Sequence, residues 1–472
     1  MSNDPMRIHL SLVSHTNIGK TTLARTLLGR DIGEVADRAH VTETTDDYVL
    51  ARTPEGCELI LWDTPGFGNS VALAKRLEGR ANPVGWFLSE VWDRVANKSL
   101  WLNQKALKHV KETSSVVLYL VNATELPDSA PYVSAEMRIL EWIGKPVIVL
   151  LNQMGEPKLP EAEQAEINRW KEAMSAYPIA NSVLPMDAFA RCWVQEFALF
   201  DSIAKALPEE LQTTFDALRE VWSRKRRATY NTSVQAIAHY LEKLANDREI
   251  AESRSIKDQI RFLARQLGLF KNETINDPIG AAQTALASRA ADDLCALTDK
   301  LIAINSLKGK GIKKELLRRI QSDWTIKRAV PLTPAAVAGA VSTGAASGLA
   351  TDLATGGLSM GFGTLLGTLV GAVGGVGLAA AYNHKKETNN TTITWSRNAL
   401  NRFAIDATLL YLSIAHFGRG RGNWEKGEYP AHWKHIIENL VNKKKLDESD
   451  YTHNIDILIR TVLMSLYNKL SL

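Results

Sequence analysis

Residues 14–22 have the types and spacing of a loop that binds phosphate. The segment reads SHTNIGKTT, which follows the pattern GxxxxGK[ST] except that Ser14 occupies the place of the first glycine. Backbone amides of such a loop converge on phosphate oxygens, Lys20 would reach the β- and γ-phosphates, and the Thr21 hydroxyl would bind Mg²⁺. We therefore expect a nucleotide's phosphates to contact Asn17, Ile18, Gly19, Lys20, Thr21 and Thr22.

Two further segments contain groups that would sense a γ-phosphate. Asp63 ends an apolar run and suits a water-mediated contact to Mg²⁺, and the amide of Gly66 can bond the γ-phosphate. In the threonine-rich stretch 41–47, Thr45 would complete the Mg²⁺ shell, with Thr44 as the alternative, although a plain loop would look similar. Phe67 stands where many GTP hydrolases have a water-orienting glutamine, so hydrolysis would be organised in another way.

A third group of residues is placed to contact a purine base. A guanine site typically reads Asn-Lys-x-Asp; Asn152 fits, Gln153 replaces the lysine and Gly155 stands at the aspartate position. Glu156 is a candidate substitute one residue later, so the choice between guanine and adenine stays open here. The expected base contacts come from Asn152, Gln153, Asp187 and Ala188.

These segments need a sheet to bring them together. Residues 8–13, 116–121 and 146–151 are continuous apolar runs, as expected of buried parallel strands, and the runs 48–51 and 57–62 flank a turn. The pattern predicts a doubly wound, mostly parallel α/β sheet over residues 1–206. Two or three helices are expected in an insertion at 67–112, where Trp86, Trp92 and Trp101 either fill a local core or form a partner surface.

The order of these motifs resembles the GTPase domain of the TrmE/Era type, over roughly residues 5–206. The resemblance implies GTP and GDP as ligands, Mg²⁺ as cofactor, and roles in hydrolysis for Asn17, Lys20, Thr45 and Gly66, with Thr21, Thr45 and Asp63 at the metal. Asn17 matches GxxNxGK[ST], whose asparagine in relatives helps hold K⁺ beside the phosphates. Such relatives hydrolyse GTP without the glutamine, often by forming a homodimer across the nucleotide face.

The remainder of the chain is predicted to be an all-α region interrupted by a glycine-zipper hydrophobic hairpin. Residues 207–328 and 385–472 have helical periodicity, whereas Asp352 is the only charged residue within 329–383. Gly363, Gly367, Gly371 and Gly375 recur every fourth residue, which would let two helices approach closely in a membrane. A tight helical pair inside a soluble domain and a linker are the competing interpretations of residues 329–384.

Charge and cysteine usage bear on location. The net charge is +4, and Cys57, Cys192 and Cys295 lack metal-ligand spacing, which favours a reducing compartment. No signal peptide is recognisable at the N-terminus. Basic residues on both sides of the hairpin favour the bacterial cytoplasm and inner membrane, with both termini cytoplasmic.

The resulting hypothesis is a GTP-hydrolysing switch that acts at the inner membrane and contacts lipid or a membrane protein. The main alternative is a cytosolic Era-like GTPase whose helical region binds RNA, the ribosome or a protein, although nucleic acid is disfavoured because interleaved basic and aromatic patterning is lacking. A third interpretation is a nucleotide-binding scaffold with negligible turnover.

Overall fold

The computed structural model describes ten segments, which make up most of the chain. They comprise residues 5–29, 46–90, 98–154, 158–187, 193–252, 278–307, 378–381, 390–417, 430–443 and 449–467. By internal contacts the chain divides into two compact units. The first contains residues 1–229, 415–422 and 466–472, and the second contains 230–414 and 423–465.

The first unit is built on a six-stranded sheet with the order β2-β3-β1-β4-β5-β6. Its strands are β1 (Arg7–Ser14), β2 (Asp46–Arg52), β3 (Glu58–Asp63), β4 (Val116–Asn122), β5 (Val147–Asn152) and β6 (Ala180–Pro185). β2 is antiparallel to β3, and the other neighbours are parallel. This confirms the predicted, mostly parallel sheet. Because these strands are parallel, the carboxyl ends of β1, β3, β4, β5 and β6 lie at one edge of the sheet.

Helices connect these strands and cover both faces of the sheet. They are α1 (Lys20–Leu28), α2 (Ser70–Leu77), α3 (Pro83–Ser89), α4 (Lys98–Thr113), α5 (Pro131–Ile143), α6 (Pro160–Met174), α7 (Trp193–Ala206) and α8 (Glu209–Asn246), with a 3₁₀ turn at Pro127–Ser129. The described residues of 67–112 contain α2, α3 and most of α4, whereas two or three helices were expected there. α8 contributes residues 209–229 to the first unit and 230–246 to the second.

Two apolar cores flank the sheet because successive strand residues point to opposite faces. In β4, Val117 and Val121 belong to one core, and Leu118 and Leu120 belong to the other. The first core is closed by α2, α4, α5 and α6, and the second by α1, α7 and the start of α8. The doubly wound architecture follows from strands that are apolar on both faces.

The two described tryptophans of the insertion, Trp86 and Trp101, are only partly buried. Trp86 packs against the first core and has the Arg80 guanidinium 3.4 Å from its ring centroid. The Trp101 ring lies 4.7 Å from the Lys105 ammonium. Trp86 thus contributes to a local core, whereas Trp92 lies outside the described residues.

The second unit is mainly helical, but the prediction of an exclusively α region is wrong. Its helices include α9 (Pro278–Ile304), α10 (Arg397–Ala415), α11 (Ala431–Lys443) and α12 (Tyr451–Leu466). It also contains an antiparallel sheet of β7 (Arg248–Glu252), β8 (Leu378–Ala381) and β9 (Asn390–Trp395), with β9 in the middle. These strands have four to six residues each, so their pairing gives little local signal.

The predicted hairpin at 329–384 lies outside the described residues except at its end. There, Leu378–Ala381 forms strand β8, not the last turn of a second apolar helix. Within the described segments, no helix has both the length and the apolar character that a membrane crossing requires.

Candidate functional site

The loop between β1 and α1 is a tight turn that ends at a helix N-terminus. Asn17 and Gly19 have left-handed backbones, with φ of 63° and 94°, and α1 begins at Lys20. A Cβ on Gly19 would lie 2.8 Å from Asn152 Nδ2, so glycine is required there. The first amides of α1 therefore open toward the loop, which is the arrangement that binds anions.

Ser14 is accommodated without a glycine because its hydroxyl bonds inside the loop. The side chain is fully buried, and Ser14 Oγ donates to the His15 carbonyl at 2.5 Å. The same oxygen accepts from Lys20 Nζ at 3.1 Å. Burial lowers the pKa of the Lys20 ammonium, while the charges of Asp63 and Glu136 oppose that shift.

The remaining loop residues assigned to phosphate binding lie beside Lys20. Ile18 and Thr22 are buried, Ile18 just before the turn to α1 and Thr22 in the first turn of the helix. Asn17 to Gly19 thus form the end of the loop, and Lys20 to Thr22 form the first turn of α1.

Thr21 and Asp63 meet at the end of β3. Thr21 Oγ1 donates to Asp63 Oδ2 at 2.5 Å, and the buried Oδ1 has no hydrogen-bond partner in the described part of the chain. Burial raises the pKa of the Asp63 carboxyl, against the Thr21 hydrogen bond and the charge of Lys20. Hydroxyl and carboxylate oxygens are the ligands that Mg²⁺ prefers, and an orphaned carboxylate oxygen fits a role in binding that ion.

The loop after Asp63 is packed against the phosphate loop. A Cβ on Gly66 would lie 3.0 Å from Lys20 Nζ and from Thr16 Cα, so a side chain has no room there. The Phe67 amide donates to the Ser14 carbonyl at 2.9 Å, and its ring is fully buried in the first core. A phenyl ring has no hydrogen-bonding group that could orient a water molecule.

The ends of β5 and β6 approach the same loop. Asn152 is buried, and its Nδ2 donates to the Ile18 carbonyl at 2.6 Å, while Gln153 Nε2 lies 3.4 Å from the Asn17 carbonyl. Asp187 is also buried, and its Oδ2 accepts from the Met154 amide at 2.8 Å. The candidate base-binding residues of both strands therefore lie at one edge.

Several predicted site residues lie outside the described part of the chain. They are Thr44, Thr45, Gly155, Glu156 and Ala188.

The sequence interpretation overlooked a buried carboxylate behind the phosphate loop. Glu136 of α5 is fully buried; its Oε1 accepts from His15 Nδ1 and its Oε2 from the Tyr119 hydroxyl, both at 2.9 Å. The signal was a glutamate at helical spacing from the apolar Val133 and Leu140, which puts a charge on the buried face of the helix.

Comparison with known proteins agrees with this geometry. Residues 9–153 match the family model described as "50S ribosome-binding GTPase". The N-terminal region is therefore similar to a GTPase domain. Residues 319–450 match a second family model, described as a domain of unknown function, DUF3482.

Solved structures of Era are among the similar ones. Era of Aquifex aeolicus bound to GDP and AlF4⁻ is 15% identical, covering 61% of this chain and 88% of that one, with a TM-score of 0.31. Era with MgGDPNP and nucleotides 1506–1542 of 16S ribosomal RNA is 17% identical, covering 62% and 89%, with a TM-score of 0.31.

Proposed function

We propose that the chain binds GTP and hydrolyses it with Mg²⁺, as a molecular switch. The observation that carries this proposal is the convergence of Lys20, the Thr21–Asp63 pair and Gly66 on one loop at the end of β1. Asn152 bonds that loop from the end of β5, where a base would lie beside the phosphates.

The residues of this site would have different roles in binding and hydrolysing the nucleotide. Lys20 and the first amides of α1 stabilise negative charge on the phosphates, and the Gly66 amide bonds the γ-phosphate. Thr21, Asp63 and Thr45 would hold Mg²⁺, which when bound would neutralise charge at the phosphate oxygens. Asn17 would take part in binding K⁺, and that ion would supply part of the contribution that a water-orienting glutamine makes in many GTP hydrolases. Dimerisation across this face would complete the site.

Guanine selectivity is assigned to Asp187. Guanine presents two neighbouring donors, at N1 and the 2-amino group, and a carboxylate accepts both. Gly155 offers no side chain at the expected position, whereas the Asp187 carboxylate is already oriented by the Met154 amide at the end of the adjacent strand.

The switch would act at the bacterial inner membrane through residues 329–384. This part of the proposal is supported by the apolar, glycine-spaced sequence and by the basic residues on both sides of it. Lipid or a membrane protein would then be the partner of the GTP-bound form.

Phosphate release from GTP and ATP by the purified full-length protein tests the enzymatic proposal. We expect multiple turnovers with GTP, faster in K⁺ than in Na⁺ buffer. Lys20→Ala should lose about tenfold or more in GTP affinity, because it removes a charged hydrogen bond to phosphate. Lys171→Ala, at an exposed position of α6, is the matched control and should behave as wild type.

Two results would contradict the proposal in different ways. GTP binding without turnover would favour a scaffold, and equal rates in Na⁺ and K⁺ would remove the role of Asn17 in K⁺ binding.

A further inference from the structure

His15, in the phosphate loop, is held in place by two residues of helix α5. The His15 Nδ1–H donates to Glu136 Oε1 at 2.9 Å, and the His15 ring stacks on Tyr132 with centroids 4.7 Å apart and planes 29° apart. Tyr132 and Glu136 are four residues apart and therefore lie on the same face of α5. The helix thus fixes one edge and one face of the same ring.

Glu136 is a carboxylate at a position where burying a charge is energetically unfavourable. It is fully buried, and a buried carboxylate is tolerated only when it is paired and its oxygens accept hydrogen bonds. Both oxygens are used, one by His15 and the other by the Tyr119 hydroxyl of β4. An apolar residue on this face of α5 would fill the core without that cost, so packing alone does not account for the glutamate.

His15, which is hydrogen-bonded to Glu136, connects the phosphate loop with the loop that follows β3. His15 forms a parallel β-bridge with Phe67, and the neighbouring Ser14 carbonyl accepts from the Phe67 amide. His15 also directly precedes Thr16, against which Gly66 packs. Moving the His15 ring would therefore move the loop that surrounds the phosphates.

We infer that Glu136 is a positioning residue for nucleotide binding, which acts through His15 on the backbone of the phosphate loop. The inference rests on the proposed nucleotide site, and it adds a functional role for α5 that the loop motif does not contain. Tyr119 and Tyr132 support it by fixing the carboxylate and the imidazole.

A double-mutant cycle on nucleotide affinity tests this inference. Binding of a fluorescent GDP and of a GTP analogue is measured for wild type, Glu136→Gln, His15→Ala and the double variant, each as the full chain with Mg²⁺. We expect each single variant to bind roughly tenfold or more weakly, because Glu136→Gln removes the charge of the acceptor and His15→Ala removes the donor. The double variant should bind no more weakly than His15→Ala, because Glu136 then has nothing left to position.

The cycle separates positioning from a general loss of stability. Thermal unfolding, measured in parallel, will show Glu136→Gln to be less stable in either case, but a purely structural role gives independent effects that multiply in the double variant. Glu141→Gln makes the same substitution elsewhere on α5 and should retain wild-type affinity. If Glu136→Gln does not fold, Glu136→Asp takes its place, since it keeps the charge but shortens the reach to His15.

Multiplying effects, or wild-type affinity in Glu136→Gln, would overturn the inference while leaving the proposed function intact. Failure of the wild-type protein to bind either nucleotide would overturn both.

Discussion

At the scale of single residues, two departures from the usual motif have different consequences. Ser14 replaces a glycine, yet its hydroxyl bonds the His15 carbonyl and Lys20, so the turn keeps its shape. Gly155 replaces an aspartate and offers no side chain that could bond the base. The first change is therefore tolerated locally, whereas under the proposed guanine selectivity the second requires a carboxylate from another part of the chain.

Asp187→Asn should change the base preference from guanine to xanthine. Xanthine presents a donor at N1 and an acceptor at C2, which an amide matches and a carboxylate does not. We expect GTP affinity to fall roughly tenfold or more while XTP affinity rises. The asparagine oxygen can still accept from the Met154 amide, so the local fold should persist. Nucleotide competition binding measures both affinities.

Glu156→Gln is the matched control for this change. It should leave the preference for GTP over XTP unaltered. A switch to xanthine in Glu156→Gln instead of Asp187→Asn would transfer the base contact to Glu156.

At the scale of helices, the basic run 224–227 of α8 contains two different kinds of arginine. Arg226 bonds both oxygens of the fully buried Glu196 of α7 and also donates to the Leu27 carbonyl at the end of α1. Arg224 pairs with Glu220 on the surface. The basic run therefore includes a cation that joins α8 to α7 and α1.

Arg226→Ala should destabilise the protein by about 3 kcal/mol, because it leaves Glu196 buried without its charged partner. Arg224→Ala should cost less than about 1 kcal/mol, since that pair is exposed to solvent. The Arg226 side chain is 20% exposed and the Arg224 side chain is 73% exposed, so we expect the larger loss of stability for Arg226→Ala. Denaturant unfolding of the two variants measures the difference. Equal losses would show that the buried pair contributes no more than a surface pair.

At the scale of the whole molecule, the membrane proposal depends on residues 329–384. Full-length protein expressed in bacteria is fractionated with GDP or a non-hydrolysable GTP analogue, and the membranes are washed with alkaline carbonate. We expect retention in the washed pellet. Leu366→Arg with Val370→Arg should reduce it, because each arginine costs about 3 kcal/mol within a bilayer.

The dependence on nucleotide separates the possible outcomes. Retention only with the GTP analogue would indicate that the GTP-bound state exposes the segment. Complete recovery of wild type in the supernatant with both nucleotides would contradict membrane insertion and favour the cytosolic alternative.

The sequence determined the nucleotide-binding loop and the sheet that carries it, because these depend on short-range spacing and on continuous apolar strands. The spacing of Gly19, Lys20 and Thr21 was sufficient for the loop. Tertiary structure decided the contacts between distant residues, such as His15 with Glu136, 121 positions apart, and Asn152 with Ile18, 134 apart. It also decided the three-stranded sheet of the second unit, in which β7 pairs with a strand more than a hundred residues away. The local periodicity of the sequence does not identify such partners, because they come into contact only when the chain packs.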